Sequence, residues 1–221
     1  IDGSLLRRGM PTLNARWSPA ATVLTGDFLF ARAAELAAEV DHLPLMKLFA
    51  ETLAIIVNGE LTQLFTSRGL INRKNYYQRI FAKTASLFEM SARAGALVSR
   101  VDEETVEAMR IFGHETGMAF QIVDDILDFT GDQTAVGKPL GSDLLQGLVT
   151  LPAIYYAEEN PEDSDIQLLT EGGWGNQDRM ERLVNSIRKS DAIQKSMQEA
   201  KDFIQRALEK LSPLHPSIER S

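Results

Sequence analysis

The sequence contains no cysteine and only three histidines among 221 residues. A disulfide framework and a thiolate metal site are thereby excluded, and a reducing compartment, the cytoplasm, is the expected location. Long apolar runs are missing too. The strongest, LAIIV at 53–57, ends in Asn58 and Gly59, far short of the roughly 20 residues that span a bilayer. No signal peptide or membrane anchor is read. Positive charge is in deficit, with 23 Lys and Arg against 31 Asp and Glu and a formal net charge of -8. Such a surface repels a phosphate backbone, and no basic patch offsets it, so nucleic acid is excluded as a partner. Internal repeats, low-complexity tracts and a second domain are also absent. The first residues, IDGSLLRRGMPT, carry neither an initiator Met nor a helix start, and the chain is expected to be the remainder of a longer protein.

What is present is helical period almost throughout. Ser18 reads as an N-cap and Pro19 as the first helical position of a segment running to about Val40. A second helix is expected from about Pro44 to Ser67, stopping at Gly69, and a third from about Asn72 to Ser99. The acids of DEET at 102–105 suit the start of a fourth, which extends to about Phe129 and closes at Gly131. The glycine-bearing stretch GDQTAVGKPLGSDLLQG reads as loop with one helical turn at 141–146. VTLPAIYYAEE resumes as helix, ENPEDSD and EGGWGNQ are surface connections, and amphipathic helices follow at about 177–188 and 190–211. The fold class expected is all-α, a bundle of long antiparallel helices forming one domain over residues 1–221.

Within the fourth helix, FQIVDDILDFTGD sets aspartates into an apolar run. At 100° per residue, Gln121, Asp124, Asp125, Asp128 and Asp132 share one arc about 100° wide, opposite Phe120, Ile122, Val123, Ile126, Leu127 and Phe129. A solvated face ordinarily mixes Glu with Lys and Arg. This one uses only Asp, a poor helix former, with no cation on the arc. A bound divalent cation is the simplest remedy for the repulsion. Oxygen ligands without His or Cys select a hard ion such as Mg²⁺, which is held through one or two carboxylates, waters and usually substrate phosphates. Candidate phosphate donors are Arg7 and Arg8, adjacent on an irregular segment, Lys138 in VGKPLG, and Lys83 in AKTASLF, where apolar neighbours predict a largely buried helix. Singly each reads as a surface cation or snorkelling lysine; together with the acids they suggest a cavity where cations share diphosphate oxygens.

Asp2 with RRG at 7–9, GDFLFA at 26–31, GE at 59–60 with Gln63, Lys83 with Thr84, FQ with Asp124, Asp125 and Asp128, and GKPLGSD at 137–143 together resemble the trans-isoprenyl diphosphate synthases, the polyprenyl synthetase family. The likeness runs over nearly the whole chain in order. Its most specific part, GMAFQIVDDILDFTGD, is similar to the family's second aspartate-rich motif. Of the first motif only the last aspartate, Asp2, is present, and the family's preceding helices are not. Where the family commonly has glycine then lysine after GSD, this chain has Gly147 and Leu148, so a third basic contact to the allylic diphosphate is missing or replaced from elsewhere.

The resemblance implies head-to-tail condensation of an allylic diphosphate with isopentenyl diphosphate, with about three Mg²⁺ ions stabilising the departing diphosphate. It assigns metal binding to Asp2, Asp124, Asp125 and Asp128, with the last two holding metal-bound waters or orienting lysines. It places Arg7, Lys83 and Lys138 on the allylic diphosphate and Arg8 on the isopentenyl one. Thr84 and Gln121 would face the developing cation, and Phe120 would pack beside the homoallylic substrate. Apolar stretches of the long helices would line a tunnel for the growing chain, with Phe49 or Leu53 contributing to its floor. A homodimer is implied. Two alternatives stay open: a non-catalytic partner subunit of a heteromeric synthase, and a class I terpene cyclase, which would usually carry an Asn/Ser/Glu metal triad in place of the second aspartate cluster.

Overall fold

Helix signals in the sequence become helices with the caps expected of them. The computed structural model describes residues 5–7, 9–66, 69, 71–131 and 140–212, without the side chains at 6, 7 and 64–66. Strand content among these residues is one two-residue antiparallel pairing, β1 (Leu6–Arg7) with β2 (Met10–Pro11). Everything else of regular structure is helical, in accord with the all-α expectation. After a short α1 (Leu13–Arg16), α2 (Pro19–Glu39) begins where Ser18 Oγ accepts from Ala21 N at 3.3 Å. Then come α3 (Leu43–Thr66) and α4 (Arg73–Ile80), the latter capped by Asn72. A π-helical turn, Phe81–Ala85, joins α4 to α5 (Ser86–Val98).

The central element is α6 (Glu103–Thr130), 28 residues long. Asp102 caps it by accepting from Thr105 N at 2.7 Å, and Glu103 and Glu104 place negative charge against the positive end of the helix dipole. Ile122, Ile126 and Phe129 are buried on its apolar side, and the helix packs along the last long helix and along α5. Full burial of each such side chain stabilises by about 1.5–3 kcal/mol. Downstream lie α7 (Ser142–Leu145), α8 (Leu151–Glu159), α9 (Ser164–Thr170), α10 (Gln177–Lys189) and α11 (Ala192–Leu211). α9 lies outside the helices expected from the sequence. Its two buried residues, Ile166 and Leu169, are too few to show a period in seven positions.

Two differences from the sequence reading bear on the site. The third expected helix is one continuous rod, but its register changes at the π-turn around Lys83 and Thr84. That turn is held between two glycines. A Cβ on Gly59 of α3 would lie 2.5 Å from Ala82 Cβ, and one on Gly117 of α6 would lie 2.5 Å from Ala85 Cα. Conversely, α2 buries no residue. It rests on α3 partly through Phe30 stacked on Phe49, with ring centroids 5.6 Å apart, and leaves Leu24, Phe28 and Leu29 exposed.

Candidate active site

The π-turn and the acidic helix meet through side chains. Thr84 donates its hydroxyl to Gln121 Oε1 at 2.6 Å. Gln121 Nε2 in turn donates to Asp125 Oδ1 at 2.9 Å and approaches Asp124 Oδ2 at 3.3 Å. A π-turn inserts one residue into helical spacing and re-aims those that follow, a device frequent at functional sites. It also explains the position of Lys83, which is exposed rather than in the buried helix expected. The lysine has left the packed face that Ala82 and Ala85 occupy.

The three described aspartates of the stripe have three different surroundings. Asp124 is exposed, with Gln121 Nε2 3.3 Å from its Oδ2. Asp125 is only 4% exposed and accepts from Tyr76 Oη at 2.8 Å as well as from Gln121. Burial pushes its carboxyl up to about 7, against the opposing pull of the Gln121 and Tyr76 hydrogen bonds and of the Arg79 charge. Burial, then Asp125, raises the Tyr76 phenol. Arg79, itself largely buried, lies 5.5 Å from the Tyr76 ring centroid and donates to Val149 O at 2.5 Å.

Asp128 faces the turn that begins α7. It accepts from Ser142 Oγ at 2.7 Å and from the backbone N–H groups of Ser142 and Asp143 at 3.2 Å each. Gly141, at φ +68°, fits between this anchor and Val184, whose Cγ2 would be 2.3 Å from a Cβ at that position. The carboxylate therefore caps a helix start 14 residues further along. Because Asp128 is so engaged, it fixes the downstream end of the segment that carries Lys138.

Asp2, Arg8 and Lys138 lie outside the described residues, as does Asp132. Arg7 contributes its backbone to β1, pairing opposite Met10, and its side chain is not described. Leu148 is half-buried, and its N–H bonds Asp143 O at 2.9 Å. Sequence reasoning missed Tyr76, Arg79, Ser142 and Asp143. The first two sit in YYQRIFAKT one to two turns before Lys83, and nothing in residue type or spacing separates them from ordinary helix residues.

Phe120 is 55% exposed and packs on Phe88 of α5, with centroids 5.2 Å apart. Next to this pair, on the α5–α6 seam and beginning about one turn from Thr84 and Gln121, lies an apolar hollow of about 350 Å³ lined by Leu87, Phe88, Ser91, Ala92, Phe112, Gly113 and Thr116. Among the described residues no group of three or more His, Asp or Glu side chains is arranged to hold a metal by itself. The donor set nonetheless fits a hard cation. Asp124 offers an unburied carboxylate, the chain has no cysteine, and Mg²⁺ takes few protein ligands when phosphate oxygens complete its shell.

The family profile for polyprenyl synthetase matches residues 1–187. The chain belongs to that family. It is 37% identical over its whole length to heptaprenyl diphosphate synthase component 2 of Bacillus subtilis (strain 168), of which it spans 63%. Among solved structures, heptaprenyl diphosphate synthase from Staphylococcus aureus superposes with a TM-score of 0.91 at 36% identity, over 98% of this chain and 68% of the other. Polyprenyl synthase from Caulobacter crescentus CB15, complexed with calcium and isoprenyl diphosphate, gives a TM-score of 0.88 at 34% identity, over 99% and 68%. This polyprenyl synthetase chain thus covers a little under two thirds of the Bacillus relative and matches across nearly all of its own length. No described helix is long and apolar enough to cross a membrane.

Proposed function

We propose that the protein is a prenyltransferase that condenses an allylic diphosphate with isopentenyl diphosphate, head to tail, to give a longer trans-polyprenyl diphosphate. The observation that carries this reading is the Thr84–Gln121–Asp124 and Asp125 cluster beside an apolar hollow between α5 and α6. One end of such a site suits a charged diphosphate and the other a hydrocarbon chain.

In this reading the C1–O bond of the allylic substrate breaks and its electron pair leaves with the diphosphate. The double bond of isopentenyl diphosphate then attacks C1, and the new bond is completed as a proton leaves C2 of that substrate for the released diphosphate. Mg²⁺, when bound, supplies the positive charge that makes diphosphate a competent leaving group. Asp124, with Asp2, would hold it. Asp125 and Asp128 act from behind, one through Gln121 and the other through the 141–143 turn. Lys83, Arg7 and Lys138 bind the allylic diphosphate and Arg8 the isopentenyl one. Thr84, with Gln121 behind it, presents its oxygen toward the developing cation, and Phe120 with Phe88 shields the reacting carbons from water. Head-to-tail assay of the full-length protein with geranyl, farnesyl or geranylgeranyl diphosphate, isopentenyl diphosphate and Mg²⁺ tests this. Products lengthened by five-carbon steps support it. No turnover with any primer, with the protein alone or with a second polypeptide added, overturns it.

A second reading concerns assembly. The exposed apolar residues of α2 and α3, among them Phe28, Leu29, Ile55 and Val57, support pairing with a second copy. The name of the Bacillus relative, component 2, favours pairing with a different chain. Activity of the purified protein as a single-species dimer supports the first, and activity appearing only on addition of a second polypeptide supports the other.

A further inference from the structure

Gln121 is placed to face the reacting carbons, yet an amide can turn either end toward a given neighbour. In this site the choice is made by the acids. The end of Gln121 that meets the carboxylate oxygens of Asp124 and Asp125, at 3.3 and 2.9 Å, is the donor Nε2. Oε1 is then turned to Thr84, whose single hydroxyl proton it takes at 2.6 Å. With that proton committed, Thr84 has only lone pairs left to present, which suits a cationic carbon and not another phosphate oxygen. The arrangement depends on Asp125 staying where it is. One of its oxygens is held by Gln121, and the other by the hydroxyl of Tyr76 at 2.8 Å. Tyr76 is 1% exposed and comes from α4, about one and a half turns before the π-turn. Arg79 lies against its ring and is tied to Val149 O, so the phenol sits on a fixed support.

We propose that Tyr76 is a positioning residue for the prenyl-transfer reaction: its buried hydroxyl pins Asp125, Asp125 fixes the amide of Gln121, and Gln121 keeps Thr84 as an acceptor toward the developing positive charge. The proposal rests on the active-site reading given above. It concerns the chemical step and leaves substrate affinity almost untouched, because Tyr76 meets no open surface.

Tyr76→Phe removes the hydroxyl and keeps the ring. In the full-length protein it should lower kcat about tenfold, the effect of one lost hydrogen bond to a charged partner, with KM for both substrates within about threefold of the original. In a Gln121→Ala background the same change should cost less than about twofold, because the route it acts through is gone. An unchanged kcat, or a full-sized loss retained in the Gln121→Ala background, overturns the role of Tyr76 alone. If Gln121→Ala and Thr84→Ala both leave kcat unchanged, the site reading falls and the proposal with it. Should Tyr76→Phe fail to melt cooperatively, Asp125→Asn, which keeps the shape, carries the same comparison: non-additivity with Gln121→Ala supports the proposal and additivity overturns it.

Discussion

Gly117 on α6 and Ala85 at the end of the π-turn approach so closely that a Cβ on the glycine would stand 2.5 Å from the Ala85 Cα. The contact brings the rod carrying Lys83 and Thr84 against the rod carrying Gln121 and the aspartates. Gly117→Ala forces the helices apart, and overpacking of this kind costs about 1–3 kcal/mol. Thermal melting should show that loss. Steady-state kinetics should show kcat reduced as well, since the 2.6 Å contact between Thr84 and Gln121 spans the same seam. Full activity in a destabilised Gly117→Ala protein would separate packing from chemistry and count against the seam as the positioning device.

Asp124 is exposed, so its removal should leave the fold intact. Asp124→Ala is expected to lower kcat/KM by about 100-fold or more, the scale of losing a charge-stabilising contact in the transition state. The concentration of Mg²⁺ giving half-maximal rate should rise. An unaltered magnesium dependence would remove Asp124 from the proposed metal site.

Asp128 should behave differently. Asp128→Ala removes three hydrogen bonds to the start of α7, and loss of a helix cap costs about 0.5–2 kcal/mol. Limited proteolysis should then cut more readily near residues 140–143, and KM for the allylic substrate should rise through the neighbouring Lys138 segment. Unchanged proteolysis would mean that the turn is held by other contacts, such as Gly141 against Val184.

The hollow beside Phe88 and Phe112 has a volume of about 350 Å³. Ala92→Phe fills part of it and should shorten the product, read by mass spectrometry of the hydrolysed prenyl alcohols. The opposite change, Phe112→Ala, should lengthen it. Identical product distributions in both variants would show that the growing chain runs elsewhere.

Glu89 gives a pH test of stability distant from the acids. Burial would raise its carboxyl, but hydrogen bonding to His114 and the charge of Arg110 hold it below the usual range. The folded value is depressed, so the stabilisation is present above the unfolded pKa of Glu, about 4.3, and is lost as pH falls through the folded one. Glu89→Gln should therefore lower stability at pH 7 by about 1–3 kcal/mol. The difference from the parent should close toward pH 3. A constant difference across that range would assign the effect to packing.

Much of the molecule was legible in one dimension because its determinants are local. Ser18 before Pro19, Asn72, and Asp102 before two glutamates became N-caps, since capping and period act within one or two turns. The position of Asp124 on a polar arc was legible for the same reason. Yet the arc gave Asp124, Asp125 and Asp128 one common fate, and the folded chain gives them three: exposed, buried on Tyr76, and capping α7.

Local pattern thus determined the helices, the acidic deficit of cations and the order of the motifs in this protein. Only the tertiary structure decided that Lys83 leaves the packed face, that Tyr76 stands behind Asp125, and that Asp128 reaches the turn at 141–143. The first two depend on the packing of separate helices around a π-turn wedged between Gly59 and Gly117, and the third on how the chain returns after α6. A side chain's neighbours across such a seam are set by how closely two backbones approach, and that distance is not encoded in the period of either helix.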